Sequence, residues 1–197
     1  LALYNKEMTV SKNKKMQKIT TSISLIFTVF LLSPFVGFTQ NMDPLDSLNT
    51  KFMLAAKEIM TSAKTCALIT LDDEGLPRVR AMDPFPAESD FTVWFGTNPK
   101  SRKVAQIKKD SRVTLYYLES NSAGYVMIHG IAQIVNDRKE KEKRWKDEWE
   151  SFYPNRFEDL ALIKVTPEWM EVISEAHGVL GDRVTWKPSR VLFNPKG

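Results

Sequence analysis

The run Gly96-Thr97-Asn98-Pro99-Lys100-Ser101-Arg102-Lys103 gathers two hydroxyls and three cations within eight residues, and Val104 and Ile107 follow at helical spacing. Gly96, Asn98 and Pro99 break the preceding apolar run, and Ser101 is a residue type that caps helices. A strand therefore ends in a turn that opens a helix. A helix start offers unpaired N–H groups and a partial positive charge, so hydroxyls and cations at the same place suit a phosphate. An ordinary capped surface helix with solvated cations is the competing reading of this stretch alone. Upstream, Pro77 to Met82 alternates Val79 and Ala81 against Arg78, Arg80 and Met82. Strand side chains repeat every two residues, so the two arginines share one face with Met82.

The elements that must position these residues read as a β-rich domain. Asp43 to Thr50 is polar and turn-like, after which Leu48, Phe52, Ala55, Ala56, Ile59 and Met60 recur at helical spacing. Thr65 to Leu71, a turn at Asp72 to Gly75, and Pro77 to Met82 form a hairpin. Further strands are expected at Phe91 to Phe95, Arg112 to Leu118 and Tyr125 to Val135, with a helix from Ser101 to Lys109 between the first two. Asp137 to Trp149 reads as a charged surface helix with a solvated face and two aromatic anchors, Trp145 and Trp149. Leu160 to Val165 and Trp169 to Ile173 read as two closing strands split by Thr166-Pro167, and the tail past His177 as irregular. Short antiparallel strands with few helices make a mainly β domain with flanking α, a small barrel. No dinucleotide fingerprint, phosphate loop or serine nucleophile elbow is present.

Residues 1–39 have the parts of a cleaved export signal: Lys12, Lys14, Lys15 and Lys18 in front, an apolar stretch from Ile23 to Leu32, and small residues at Gly37-Phe38-Thr39. A leader beginning at Met8 or at Met16 would still be complete, the latter with Lys18 as its basic front. Cleavage before Gln40 would leave residues 40–197 as one domain, exported to the periplasm or secreted and without a stable membrane anchor. Of the 28 Lys and Arg, five lie in residues 1–39, as does one of the 24 Asp and Glu, so the remainder carries 23 of each. The net charge of +4 thus belongs to the leader, and the neutral remainder has no nucleic-acid footprint. One cysteine, Cys66, in an apolar run reads as a buried inert thiol; two isolated histidines, His129 and His177, make no metal site.

Gly75-Leu76-Pro77-Arg78-Val79-Arg80-Ala81-Met82 followed by Thr97-Asn98-Pro99-Lys100-Ser101-Arg102-Lys103 resembles the FMN-binding split-barrel family of pyridoxamine phosphate oxidase-like proteins, nearest to its general-stress-protein branch. The resemblance runs from about Asp46 to about Ile173 and includes Tyr125-Val126-Met127-Ile128-His129-Gly130, similar to a long family strand ending in glycine. It implies a split β-barrel, a homodimer, and FMN held by Arg80, Thr97, Ser101, Arg102 and Lys103, with Met82 near the flavin ring. The chain departs from the oxidase proper at several places: Phe85 stands where the oxidase has a lysine, and Gly96 where it has a tyrosine before the motif threonine. Ile173 also stands in place of a tryptophan, and no Arg-x-His substrate pair is placed around Arg183. FMN binding is therefore expected, and the vitamin B6 substrate is not.

Two functions stay open on these residues. One is an FMN-dependent oxidoreductase acting on an unidentified small-molecule redox substrate; the other is a binder of FMN, deazaflavin or a haem-like ligand that serves as carrier or stress sensor. No catalytic acid or base is evident, since a lone His129 inside a strand is more often structural. Trp145, Trp149 and Trp169 read as core or dimer aromatics.

Overall fold

A computed structural model describes residues 44–120 and 124–193. The expected export signal and its cleavage point lie outside the described residues. Helix α1 (Pro44–Ser62) starts where the sequence suggested a turn, with proline in a helical first turn, where its missing N–H is no loss. Phe52, Ala55, Ala56, Ile59 and Met60 form its buried stripe.

The strands are β1 (Cys66–Leu71), β2 (Pro77–Met82), β3 (Val93–Thr97), β4 (Arg112–Leu118), β5 (Tyr125–Val135), β6 (Ala161–Ile173) and β7 (Arg190–Leu192). They make one antiparallel sheet in the order β2-β1-β4-β5-β6-β3, with β7 also paired to β6. An isolated bridge between Pro84 and Phe95, with the Phe85 N–H donating to the Trp94 carbonyl at 2.9 Å, brings the chain after β2 back onto β3. The two ends of the path therefore meet, and the sheet curls into a split barrel. Its interior holds Leu68, Phe95, Leu115, Tyr117, Ile128, Ile163 and Met170, all fully buried. Each such side chain contributes roughly 1.5–3 kcal/mol relative to exposure.

Between β3 and β4 runs helix α2 (Arg102–Lys109), which buries Val104 and Ile107 as its apolar spacing requires. After β5 the charged stretch does not form one long surface helix. It makes a short helix α3 (Arg138–Lys143) and a single 3-10 turn, Asp147–Trp149. Nor is its charge solvated throughout: Lys141 and Arg144 are buried, the former donating to the Phe157 carbonyl at 2.5 Å.

The two expected closing strands are one continuous β6, because the register against β5 shifts between His129 and Gly130 and Pro167 sits opposite Gly130 in that bulge. A bulge is where a strand tolerates proline. A Cβ on Gly130 would run into the backbone carbonyl of Thr166, so the close approach needs glycine. The tail is likewise more regular than its sequence suggested, since Arg190–Leu192 pairs with Trp169 to Glu171.

Candidate functional site

Arg80 lies opposite Leu68 on β1, so its side chain leaves the sheet on the interior face, at the end covered by α2. Its Nη1 donates to the Thr70 hydroxyl at 2.7 Å and its Nη2 donates to the Gln106 carbonyl oxygen of α2 at 3.0 Å. The Thr70 hydroxyl donates in turn to the same Gln106 oxygen at 2.7 Å. Across the turn, the Lys103 ammonium donates to the Thr97 hydroxyl at 3.0 Å, and the Thr97 and Ser101 hydroxyls are 3.3 Å apart. Ser101 occupies the cap position of α2 but makes no side-chain cap bond. Its hydroxyl turns toward Thr97 instead.

The electrostatics of this cluster follow from what is missing. Among the described residues no carboxylate pairs with Arg80, Arg102 or Lys103; the partners of Arg80 and Lys103 are an amide and hydroxyls. Burial pushes the Arg80 guanidinium below its usual range, and the nearby Arg102 pushes it further. Burial does the same to Lys103, helped by Arg80. Three cations thus repel one another beside a helix start whose first amides have no intrahelical acceptor. The arrangement favours an anion, and a guanidinium with free N–H groups suits the paired oxygens of a phosphate.

The structure brings Arg80, Thr97, Ser101, Arg102 and Lys103 to one place. Met82 is placed differently: it shares the strand face with Arg80 but is only 9% exposed, packed in the core. Arg78, on the same face, turns outward to Asp72 at 2.6 Å. Two members of the cluster escaped sequence reasoning, Thr70 and Gln106. Gln106 had a signal, because it sits three and four residues after Lys103 and Arg102 and so shares their side of the helix.

Behind β3 lies a second, aromatic region. A Cβ on Gly96 would overlap the indole of Trp149, which therefore lies directly on the backbone next to Thr97. Phe85 meets the same indole edge-on, with ring centroids 5.6 Å apart. Two of the positions where the sequence differs from the oxidase pattern, Phe85 and Gly96, thus touch one side chain. Trp145 and Tyr153 extend the cluster, while Lys146 lies 4.9 Å over Phe85 and pairs with Asp83 at 2.7 Å. Arg144, 7% exposed, stacks 3.6 Å over Trp94 and is paired with both Glu88, at 3.0 Å, and Glu140. His129 faces the other way from Arg80: the register places it with Thr114 and Trp169 on the outer face of the sheet. Its ring stacks on Trp169 at 5.1 Å and its Nδ1 is 3.5 Å from the Thr114 hydroxyl. Cys66 is buried and unpaired, as its apolar surroundings suggested.

The profile described as pyridoxamine 5'-phosphate oxidase like matches residues 53–187, and the chain belongs to that family. Among solved structures, a protein from Clostridium acetobutylicum related to general stress protein 26 of Bacillus subtilis, of the pyridoxinephosphate oxidase family, is 26% identical with a TM-score of 0.60. The match covers 72% of this chain and 94% of that one. General stress protein 26 from Bacillus anthracis shares the fold at 24% identity and TM-score 0.53, over 64% of this chain and 93% of its own. A pyridoxamine 5'-phosphate oxidase-related, FMN binding protein from Nostoc punctiforme shares it at 14% identity and TM-score 0.51, over 79% and 99%. None of the curated proteins matches the chain.

Proposed function

We propose that this chain is an FMN-binding flavoprotein, an oxidoreductase that works as an exported homodimer on a small-molecule redox substrate. The observation that carries the cofactor is the convergence of Arg80, Arg102 and Lys103 with only neutral partners. Partly desolvated cations crowded together without a counterion are unfavourable, and a dianionic phosphate monoester relieves that repulsion as riboflavin, lacking the phosphate, does not. Arg80 and Lys103 would grip the phosphate, Arg102 and the first amides of α2 would add charge and donors, and the Thr97 and Ser101 hydroxyls would donate to its oxygens. When bound, the flavin supplies the acceptance and release of a hydride; the protein supplies binding, orientation and electrostatics.

The dimer is supported by the outer face of the sheet, where Val79, Leu118 and Leu192 are exposed and Trp169 and Tyr125 half-buried. Such an apolar face suits a second copy. A reading without turnover is favoured by one observation, the position of His129 on the face opposite Arg80. It leaves no acid or base beside the cations among the described residues.

The test is a visible spectrum of protein purified as residues 40–197, with FMN and riboflavin titrated back and their fluorescence followed. Tight FMN retention with weak riboflavin binding is expected, followed by bleaching of the flavin bands on addition of a nicotinamide reductant. No flavin binding would sink the cofactor reading. Bound flavin that no nicotinamide donor reduces would leave the carrier.

A further inference from the structure

Arg80 is fixed by two acceptors that carry no charge, and the direction of every bond in that ring is forced. A guanidinium only donates, so both Thr70 Oγ1 and Gln106 Oε1 must accept from it. The Thr70 proton then has one outlet, the same Gln106 oxygen, whose two lone pairs are thereby filled. A flipped Gln106 amide would set its own N–H groups against the guanidinium. Thr70 is 1% exposed, so the ring is closed to water on that side. The other arginines with a side-chain partner in this structure, Arg78, Arg112, Arg138, Arg144, Arg156 and Arg190, are each held by a carboxylate.

We infer that Gln106 and Thr70 are the positioning residues that set selectivity for a phosphate monoester: they fix the direction of the Arg80 guanidinium while leaving its whole charge for the ligand. A carboxylate at position 106 would make the same bonds more strongly and cancel that charge; an apolar side chain would leave the charge and lose the direction. Helix α2 thereby carries both the added cations, Arg102 and Lys103, and the group that aims the third. The inference rests on the phosphate reading of the site, and its experiment separates the two.

Dissociation constants for FMN and riboflavin are measured by fluorescence quenching on the wild type and on Gln106→Glu, Gln106→Met, Thr70→Val, Thr70→Ser and Ala105→Glu. The readout is the ratio of the riboflavin constant to the FMN constant. Gln106→Glu should lower that ratio about tenfold or more, the size of a lost charge-assisted bond, with riboflavin binding unchanged and the apoprotein's melting temperature steady or raised. Gln106→Met and Thr70→Val should lower it less, and Thr70→Ser should restore it. Ala105→Glu places the same new charge on the exposed neighbouring position, and a markedly smaller effect there is expected if aiming Arg80 is the point. An unchanged ratio in both Gln106 variants overturns the inference, as does an Ala105→Glu effect equal to that of Gln106→Glu. Wild type that binds FMN and riboflavin alike overturns the phosphate reading itself, and the inference with it.

Discussion

Arg80 and Arg144 are both arginines drawn in against the barrel, on either side of β3, and their surroundings are opposite. Arg144 lies on the Trp94 ring with Glu88 and Glu140 on its nitrogens, so its charge is met twice over within the fold. Arg80 has a hydroxyl and an amide, and its nearest charged neighbours are two more cations. An arginine neutralised by its own chain holds the fold together; one that is held but not neutralised is kept for something that arrives from outside. Arg144 is also the more deeply buried of the two, so exposure separates them only by degree. The partner's charge separates them in kind.

The sharpest way to break this comparison is to delete the cations on the Arg80 side. Arg80→Ala with Lys103→Ala should lose FMN retention by roughly two orders of magnitude or more, since each phosphate bond is worth about 1.5–3 kcal/mol. The apoprotein's melting temperature should hold steady or rise, because the desolvation and the mutual repulsion that push both groups below their usual range are gone. Flavin titration and a thermal melt on the same preparation check both halves. The mirror experiment is Arg144→Met, which should leave FMN affinity intact and cost about 2–3 kcal/mol, below the range for a fully buried pair because Glu88 and Glu140 are partly exposed. Urea unfolding measures it, and a loss of FMN affinity without a loss of stability would reverse the assignment.

Gly96 lies where the two regions touch. Gly96→Ala should cost roughly 1–3 kcal/mol by overpacking against the indole and should also weaken FMN, because Thr97 is the next residue. Adding Trp149→Leu should recover part of both losses, a coupling that a double-mutant cycle reads.

A pH-dependent effect that shows only in alkali concerns Cys66, buried in the core. Burial raises its thiol from 9.0 to about 12, so the folded chain holds a proton that the unfolded chain releases. Its contribution is present below about pH 9 and falls as pH rises toward 12, by about 1.4 kcal/mol per pH unit at most. A disulfide reagent at mildly alkaline pH should label Cys66 only after unfolding.

Much of the Arg80 region was legible in the sequence because its signals are local: a strand, a breaker and a helix start within a dozen residues, and a strand whose alternation puts Arg80 on one face with Met82. Thr70 was not legible, since nothing local marks one threonine in an apolar strand as the acceptor for an arginine on the next. Gln106 declared its helical side but not its target. The Arg144 region was misread for a related reason. A run of alternating charge looks solvated, and only the fold reveals that Lys141 and Arg144 are the members turned inward. Pro167 looked like a strand end because proline gives up a ladder bond; the bulge at Gly130, on another strand, is what lets β6 pass through it.

The contact between Trp149 and the bare backbone of Gly96 also restricts how this protein could change over generations. Every side chain at position 96 is costly while the indole is in place, and the more so the larger it is, so a change toward a tyrosine there is expected to need a smaller residue at 149 first. A change the other way is expected to lose the tyrosine before the tryptophan settles. Phe85 packs against the same ring, so substitutions at the three positions are expected to be coupled in their effects.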